Sequence, residues 1–389
     1  MLTVTQKRKL LFVSNLFPDT AEPYRGLDNA RLLAELSAEF DIRVIALRPG
    51  LPFLPGSPRN CREEDHLFSP FYLKAPYIPK LGSRFNHILM SNALSPAIQE
   101  VQRNFPFEVV LVSWVYPDGC AVSRLSTSLH FPFVVVAQGS DVHQYLNIPA
   151  RRKIICRSME GASAIITRSA ELGRLLAGAG VAREKLHTVY NGIDFDLFMP
   201  RDPGEARKGL GLPLDERIIL FVGNFLPVKN PLLLVKAHAG FCRMSTSPKC
   251  RLVMIGGGPM ESEIRALAKA EGFERMVLVA GRKNSGEIAQ FMQAADLLCL
   301  PSENEGVPNV ILEAFAAGLR VVASRVGGIP EVLSEDMLGI LVEQGNEQEL
   351  QAAFAKIFSQ PAQTANIRQH ALQFSWERTT AQYAALLKR

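Results

Sequence analysis

Two α/β domains, each a doubly wound parallel sheet with helices on both faces, are what this sequence predicts. Three observations carry the prediction. Short apolar runs rich in Val, Ile and Leu alternate with helix-length amphipathic stretches along the chain. Each run is continuously apolar, as in strands buried on both faces. The 389 residues also exceed a single core, since cores tend to split beyond roughly 250–300 residues.

The elements follow in order. Expected strands in the first half are Leu10–Val13, Ile42–Ala46, Val109–Val112, Phe133–Val136 and Ile165–Thr167. The second half offers Ile218–Val222, Leu252–Ile255, Val277–Val279, Leu297–Leu300, Val321–Ala323 and Ile340–Val342. Asp28–Phe40 reads as a helix, with Leu32, Leu36 and Phe40 sharing one face. Turn formers and prolines concentrate between Tyr190 and Gly204, which sets the domain junction there. The predicted division is residues 1–195, residues 196–365 and a C-terminal helical segment, 366–389, packing back on the first domain. Lys7-Arg8-Lys9 before Leu10-Leu11-Phe12-Val13 imitates a secretion signal. The apolar stretch is too short for one, and Asn15, Pro18 and Asp19 follow where a small-residue cleavage site would lie. A first buried strand and a cytoplasmic protein are expected.

Composition narrows the function classes. With 47% hydrophobic and 21% charged residues the chain is ordinary for a globular protein. No apolar run approaches the roughly 20 residues that span a bilayer. The six cysteines show no close pairing, and the seven histidines make no metal-ligand spacing with them, so neither a disulfide framework nor a zinc site is expected. A net charge of +5 suits a polyanionic ligand or an anionic membrane surface, and without a basic stripe gives no nucleic-acid partner.

Ligands of open parallel sheets bind beyond the carboxyl ends of the strands, so with two sheets the expected site is the cleft between them. The most informative stretch of this kind runs from Leu297 to Ser324. A strand ends near Leu300, Pro301–Gly306 forms a loop, and a helix starts near Val307 or Pro308 and stops at Gly318. The amides of Val307 and Asn309 at that start form an anion site suited to a diphosphate. Glu313 lies roughly 8 Å along the axis from the helix start, at 1.5 Å per residue. A nucleotide along this helix would set its phosphates at the amino end and its ribose at Glu313, with Glu305 near the sugar. Read alone, Glu303 and Glu305 would serve equally well as acidic residues favouring a helix N-terminus.

The stretch resembles the signature of the retaining, GT-B-fold glycosyltransferase family 4, a Glu-x7-Glu pattern embedded in Pro-Ser-x-x-Glu-Gly and Glu-Ala-x-Ala-x-Gly. Pro301, Ser302, Glu305, Gly306, Glu313, Ala314, Ala316 and Gly318 carry the match, with Gly327-Gly328-Ile329-Pro330-Glu331 and Asn191-Gly192-Ile193-Asp194 beside it. The resemblance implies two Rossmann-like domains facing across a cleft. It implies that Glu313 and Gly306 bind the donor, that Glu305 meets the donor sugar, and that Lys229 meets the diphosphate. Arg282 falls in a loop that contacts the base. Gly26, with Tyr24 and Arg25, stands where a glycine-rich loop faces the donor phosphates. Gly139, Ser140 and Asp141 fit a segment at the reacting centre, with Gln138 in the place of a histidine and His143 two residues past Asp141. Asn224 stands where an arginine usually shares the diphosphate, and Arg25 is the expected replacement cation.

The function so implied is transfer, with retention, from a nucleotide-diphosphate sugar to a glycan or lipid-linked acceptor, in cell-surface polysaccharide or teichuronic-type synthesis. UDP is favoured over GDP. The implied mechanism is front-face attack with no cofactor and no metal, Asp194-Phe195-Asp196 being a chance Asp-x-Asp. The competing readings are a nucleotide-sugar epimerase or hydrolase, a cleft-type binding protein without catalysis, and a nicotinamide oxidoreductase. Gly256-Gly257-Gly258-Pro259 is not a dinucleotide fingerprint and disfavours the last. Phe71–Leu94 interleaves Tyr72, Tyr77, Phe85 and Leu89 with Lys74, Lys80 and Arg84, a pattern suited to peripheral contact with the inner face of an anionic membrane.

Overall fold

The computed structural model describes residues 7–53, 59–244 and 249–389. The chain divides into two compact units, Met1–Gly192 with Trp376–Arg389, and Ile193–Ser375.

Unit 1 carries β1 (Arg8–Ser14), β2 (Phe40–Gly50), β3 (Phe71–Pro76), β4 (Val109–Ser113), β5 (Phe133–Ala137), β6 (Ala164–Thr167) and β7 (Leu186–Thr188). They form a parallel sheet of order β3-β2-β1-β4-β5-β6-β7. Side chains alternate between the two faces along a strand, and both faces of β1 are buried. Leu11 and Val13 enter one apolar cluster, Leu10 and Phe12 the other. That is why the strand is apolar throughout.

Unit 2 carries β8 (Arg217–Val222), β9 (Cys250–Ile255), β10 (Val277–Gly281), β11 (Leu297–Leu300), β12 (Arg320–Ser324) and β13 (Gly339–Val342). Its parallel sheet has the order β10-β9-β8-β11-β12-β13. In each sheet the order of connection reverses once, at β1/β4 and at β8/β11. The loops after those strands flank the crevice where such sheets take ligands.

The chain re-enters unit 1 at Trp376, so the stretch from 366 to 375 belongs to unit 2 and not to a separate tail. Helix Thr364–Ala371 packs on helix Asn309–Ala316. The following helix, Trp376–Leu387, packs on helix Leu27–Leu36 and places Tyr383, Ala384, Leu386 and Leu387 in the unit 1 core. Each fully buried large side chain there contributes about 1.5–3 kcal/mol. The other crossing, between Gly192 and Ile193, lies within the turn-rich stretch and precedes the expected boundary at 195.

The remaining differences from expectation are local. Helix Leu27–Leu36 is shorter than expected because Phe40 opens β2. Strands β3 and β7 were not expected, their sequences FYLKAP and LHT lacking a continuous apolar run. Phe71–Leu94 is not one surface element. It supplies β3 and the start of helix Asn86–Asn104, and Tyr72 turns inward to donate to the Pro18 carbonyl at 2.8 Å. Phe71 and Phe85 remain exposed. No described helix is long and apolar enough to cross a membrane.

Candidate functional site

At the reversal in unit 2, β8 runs into the loop bearing Asn224 and the tight turn Pro227–Lys229, and β11 runs into Pro301–Gly306. The two loops are tied by their backbones, Glu303 N–H donating to the Val228 carbonyl at 2.8 Å. Lys229 Nζ then pairs with Glu305 Oε1, and Ser302 Oγ donates to the same oxygen at 2.8 Å. Glu305 is thereby fixed from two sides, its side chain only 10% exposed and that of Lys229 25%. Ser302 was noticed only as part of the motif; here it orients the carboxylate.

The glycine pair downstream braces this loop. Gly327 has φ 54°, and a Cβ there would stand 1.7 Å from the Glu305 carbonyl oxygen, so a side chain would push the loop away. Gly328 N–H donates to the Gly306 carbonyl at 3.1 Å. Helix Asn309–Ala316 follows, with Pro308 extended at its N-cap position and no side-chain cap. Pro308 therefore offers its N-terminal amides no capping side chain. Glu313 is half-buried on this helix, and Gly306, Val307 and Asn309 are half-buried at its start.

Asn224 is exposed, and its Oδ1 accepts from Arg282 Nη1 at 3.3 Å. The cation that meets Asn224 is therefore Arg282. Arg25 is engaged within its own loop, donating from Nε to the Asn15 carbonyl at 2.6 Å, and pairing with Glu22 at 3.2 Å. Arg282, in the same unit as Asn224, brings a guanidinium to the position that lacks one.

The reversal in unit 1 is built otherwise. Gly26, φ 68°, packs so closely on Leu16 that a Cβ would meet its carbonyl carbon and oxygen at 2.3 Å. Asp118, from the loop after β4, accepts from the Asn15 N–H at 2.7 Å and from Asn15 Nδ2 at 2.8 Å, both on Oδ2. Burial pushes the Asp118 carboxyl up to about 7. Sequence reasoning passed over Asn15 and Asp118 as functional groups, although Asp118 lies just after a strand, in Tyr116-Pro117-Asp118-Gly119.

Asp141, expected at the reacting centre, ties neighbouring loops together. It is fully buried. One carboxylate oxygen accepts the Val115 N–H at 2.7 Å, and the other accepts those of Gln138 and Gly139 at 3.0 and 2.8 Å. Burial raises its carboxyl above the ordinary range while those amides pull it back. Gln138 points into the same network, donating to Ser113 Oγ at 2.6 Å and Asn29 Oδ1 at 3.2 Å. His143 Nε2 lies 3.2 Å from Glu171. At Asp194, one carboxylate oxygen accepts the amides of Asp196 and Leu197, a turn-forming role.

One grouping is not apparent from spacing along the chain. His238, Cys242 and Cys250 bring their ligand atoms within 4.8 Å of one another.

Residues 29–197 match the model of Glycosyltransferase Family 4, and residues 202–374 that of Glycosyl transferases group 1. The chain is 35% identical over 233 residues to a D-inositol 3-phosphate glycosyltransferase of Actinosynnema mirum, a match covering 54% of this chain and 56% of the relative. It is 32% identical over 292 residues to a protein of the same name in Segniliparus rotundus, covering 71% and 64%. The match thus spans about half to two thirds of those relatives' length. Among solved structures, Anabaena HepE in complex with UDP superposes with a TM-score of 0.77 at 20% identity, covering 98% of this chain and 99% of that one. Sucrose-phosphate synthase from Thermosynechococcus elongatus gives 0.77 at 22%, covering 98% of each. At such identities the likeness is one of fold. With each half matched by its own family model and both sheets of the expected kind, the chain belongs to the GT-B glycosyltransferases of group 1 and family 4 type.

Proposed function

We propose that the protein is a retaining glycosyltransferase that takes a sugar from a UDP-type donor and gives it to a glycan or lipid-linked acceptor in cell-surface polysaccharide synthesis. The observation that carries this is the pairing of Lys229 with Glu305 across the reversal point of one sheet, beside an uncapped helix start. HepE, of like fold, is seen with UDP and with UDP-glucose, which supports the choice of nucleotide.

In this reading the bond between the anomeric carbon and the diphosphate oxygen breaks as positive character grows on that carbon. Lys229 and the amides of Val307 and Asn309 receive the charge on the departing phosphate. Glu313 accepts the ribose hydroxyl protons and Glu305 holds the sugar. The acceptor hydroxyl adds on the face the phosphate leaves, and its proton passes to a departing phosphate oxygen. No metal takes part, so turnover should survive EDTA and gain nothing from magnesium or manganese. Loss with EDTA that either ion restores would overturn that point.

The test is a thermal-shift screen of nucleotide-diphosphate sugars, since a ligand of the native state raises stability by mass action, followed by the anomeric configuration of the product. UDP-sugars should stabilise most, with configuration retained. Donor consumption without an acceptor would mark an epimerase or hydrolase instead. The names of the curated relatives favour a second acceptor class, a phosphorylated polyol, which belongs in the same screen. A lipid-linked acceptor would bring the exposed Phe71 and Phe85 toward an anionic membrane, checked by flotation with anionic liposomes.

A further inference from the structure

Away from the carboxyl ends of the strands, unit 2 gathers three side chains of metal-ligating type. His238 and Cys242 are one helical turn apart on Pro231–Met244 and share a face. Cys250 opens β9. His238 is fully buried, Cys250 is 2% exposed and Cys242 is half-buried. His238 Nε2 lies 3.4 Å from Cys242 Sγ and 2.9 Å from the Cys250 carbonyl oxygen, and Cys242 Sγ is 3.6 Å from that oxygen. The other ring nitrogen, Nδ1, is buried without a hydrogen-bond partner.

The spacing suits a small tetrahedral cation. Zinc binds imidazole nitrogen at about 2.0–2.1 Å and thiolate sulfur at about 2.3 Å. A tetrahedral angle then sets nitrogen and sulfur about 3.5 Å apart and two sulfurs about 3.8 Å apart. The His238–Cys242 edge has that length already. No other edge exceeds 4.8 Å, so closure about a metal needs movements of about 1 Å.

We propose that His238, Cys242 and Cys250 form a structural site for a thiophilic divalent cation of the zinc class, clipping the end of helix Pro231–Met244 to the first residue of β9. The ring proton of His238 would sit on Nδ1, leaving Nε2 as ligand, and the fourth position falls to water or the Cys250 carbonyl oxygen. Two thiolates neutralise the cation's charge, which suits a site this buried. Cys242 lies about 16 Å along the helix from Pro231, and therefore at the far end from Lys229. The site is thus separate from the donor residues, and its role is to hold the layer together.

The full chain, reduced and freed of metal, would be titrated with zinc against a chromophoric chelator, and with cobalt for its thiolate charge-transfer absorption. One zinc per chain, a raised thermal midpoint and a tetrahedral cobalt spectrum are expected. Cys242→Ser and Cys250→Ser should each weaken zinc by more than about a hundredfold. Cys242 is half-buried, so its variant should keep the fold, checked by circular dichroism, should the Cys250 variant fail to. The proposal is overturned by no uptake in the reduced chain, by unchanged uptake in Cys242→Ser, or by a thiol count showing the two cysteines joined as a disulfide in the chain isolated without reductant.

Discussion

The two sheets reverse their winding in the same way, yet the polar residues at the two reversals are used differently. In unit 2, Lys229, Glu305 and the buried Ser302 meet through their side chains, and Lys229 and Glu305 stay partly open. In unit 1, Asp118 and Asp141 are fully buried and bind backbone amides of neighbouring loops, while Arg25 serves its own loop. A charged side chain whose partners are other side chains can exchange them for a ligand. One whose partners are buried amides cannot, because the amides would be left unsatisfied. One reversal point therefore presents chemistry, and the other builds the floor on which loops stand.

The sharpest way to break that contrast is Lys229→Ala. Loss of one preorganised charge at a leaving group should lower turnover on the order of 10²–10³-fold while the fold stays intact by circular dichroism. An unfolded variant would mean that the pair with Glu305 is structural, and unit 2 would then resemble unit 1.

Glu313→Gln follows in size. Replacing a charge-assisted acceptor with a neutral one should cost about 1.5–3 kcal/mol of donor binding, measured by calorimetry. Unchanged affinity would remove Glu313 from the ribose.

Smaller again is the effect at Arg282, because the contact with Asn224 is exposed. Arg282→Ala should weaken donor binding by about 1 kcal/mol, and Asn224→Arg in that background should recover part of it. Arg25→Ala should leave donor affinity nearly unchanged while loosening its loop. Equal losses at Arg25 and Arg282 would erase the distinction between the two reversals.

What could be read in advance follows the same line. All the strands of the unit 2 sheet were legible because each is a continuous apolar run, whereas β3 and β7 lie at the edges of the other sheet and lack one. Glu305, Glu313 and Lys229 were legible as a motif. The burial of Asp141 was not, since Gly-Ser-Asp reads the same whether its carboxylate faces solvent or amides. Nor was the meeting of Arg282 with Asn224, since residues 58 apart meet only through strand order. The His238 group was hidden for the same reason, two of its members sharing a helix and the third opening the next strand.

The last test concerns Asp118, where the claim that unit 1 uses its carboxylates as architecture can be read from the pH dependence of stability rather than from donor binding. Burial moves its carboxyl from 3.8 to about 7. Between those values the folded chain keeps a proton that the unfolded chain has released. Native stability from this group is thus full below about pH 4 and is lost as pH rises through about 7. Asp118→Asn cannot titrate, yet its side-chain carbonyl can still accept from Asn15. The wild-type chain should therefore lose stability relative to the variant as pH rises across that window, and the difference should level off above it. Paired urea denaturation series at several pH values would measure this. A difference independent of pH would mean that Asp118 is ionised throughout. Its charge, rather than its proton, would then hold the Asn15 loop, and unit 1 would carry a fixed negative charge at its reversal point.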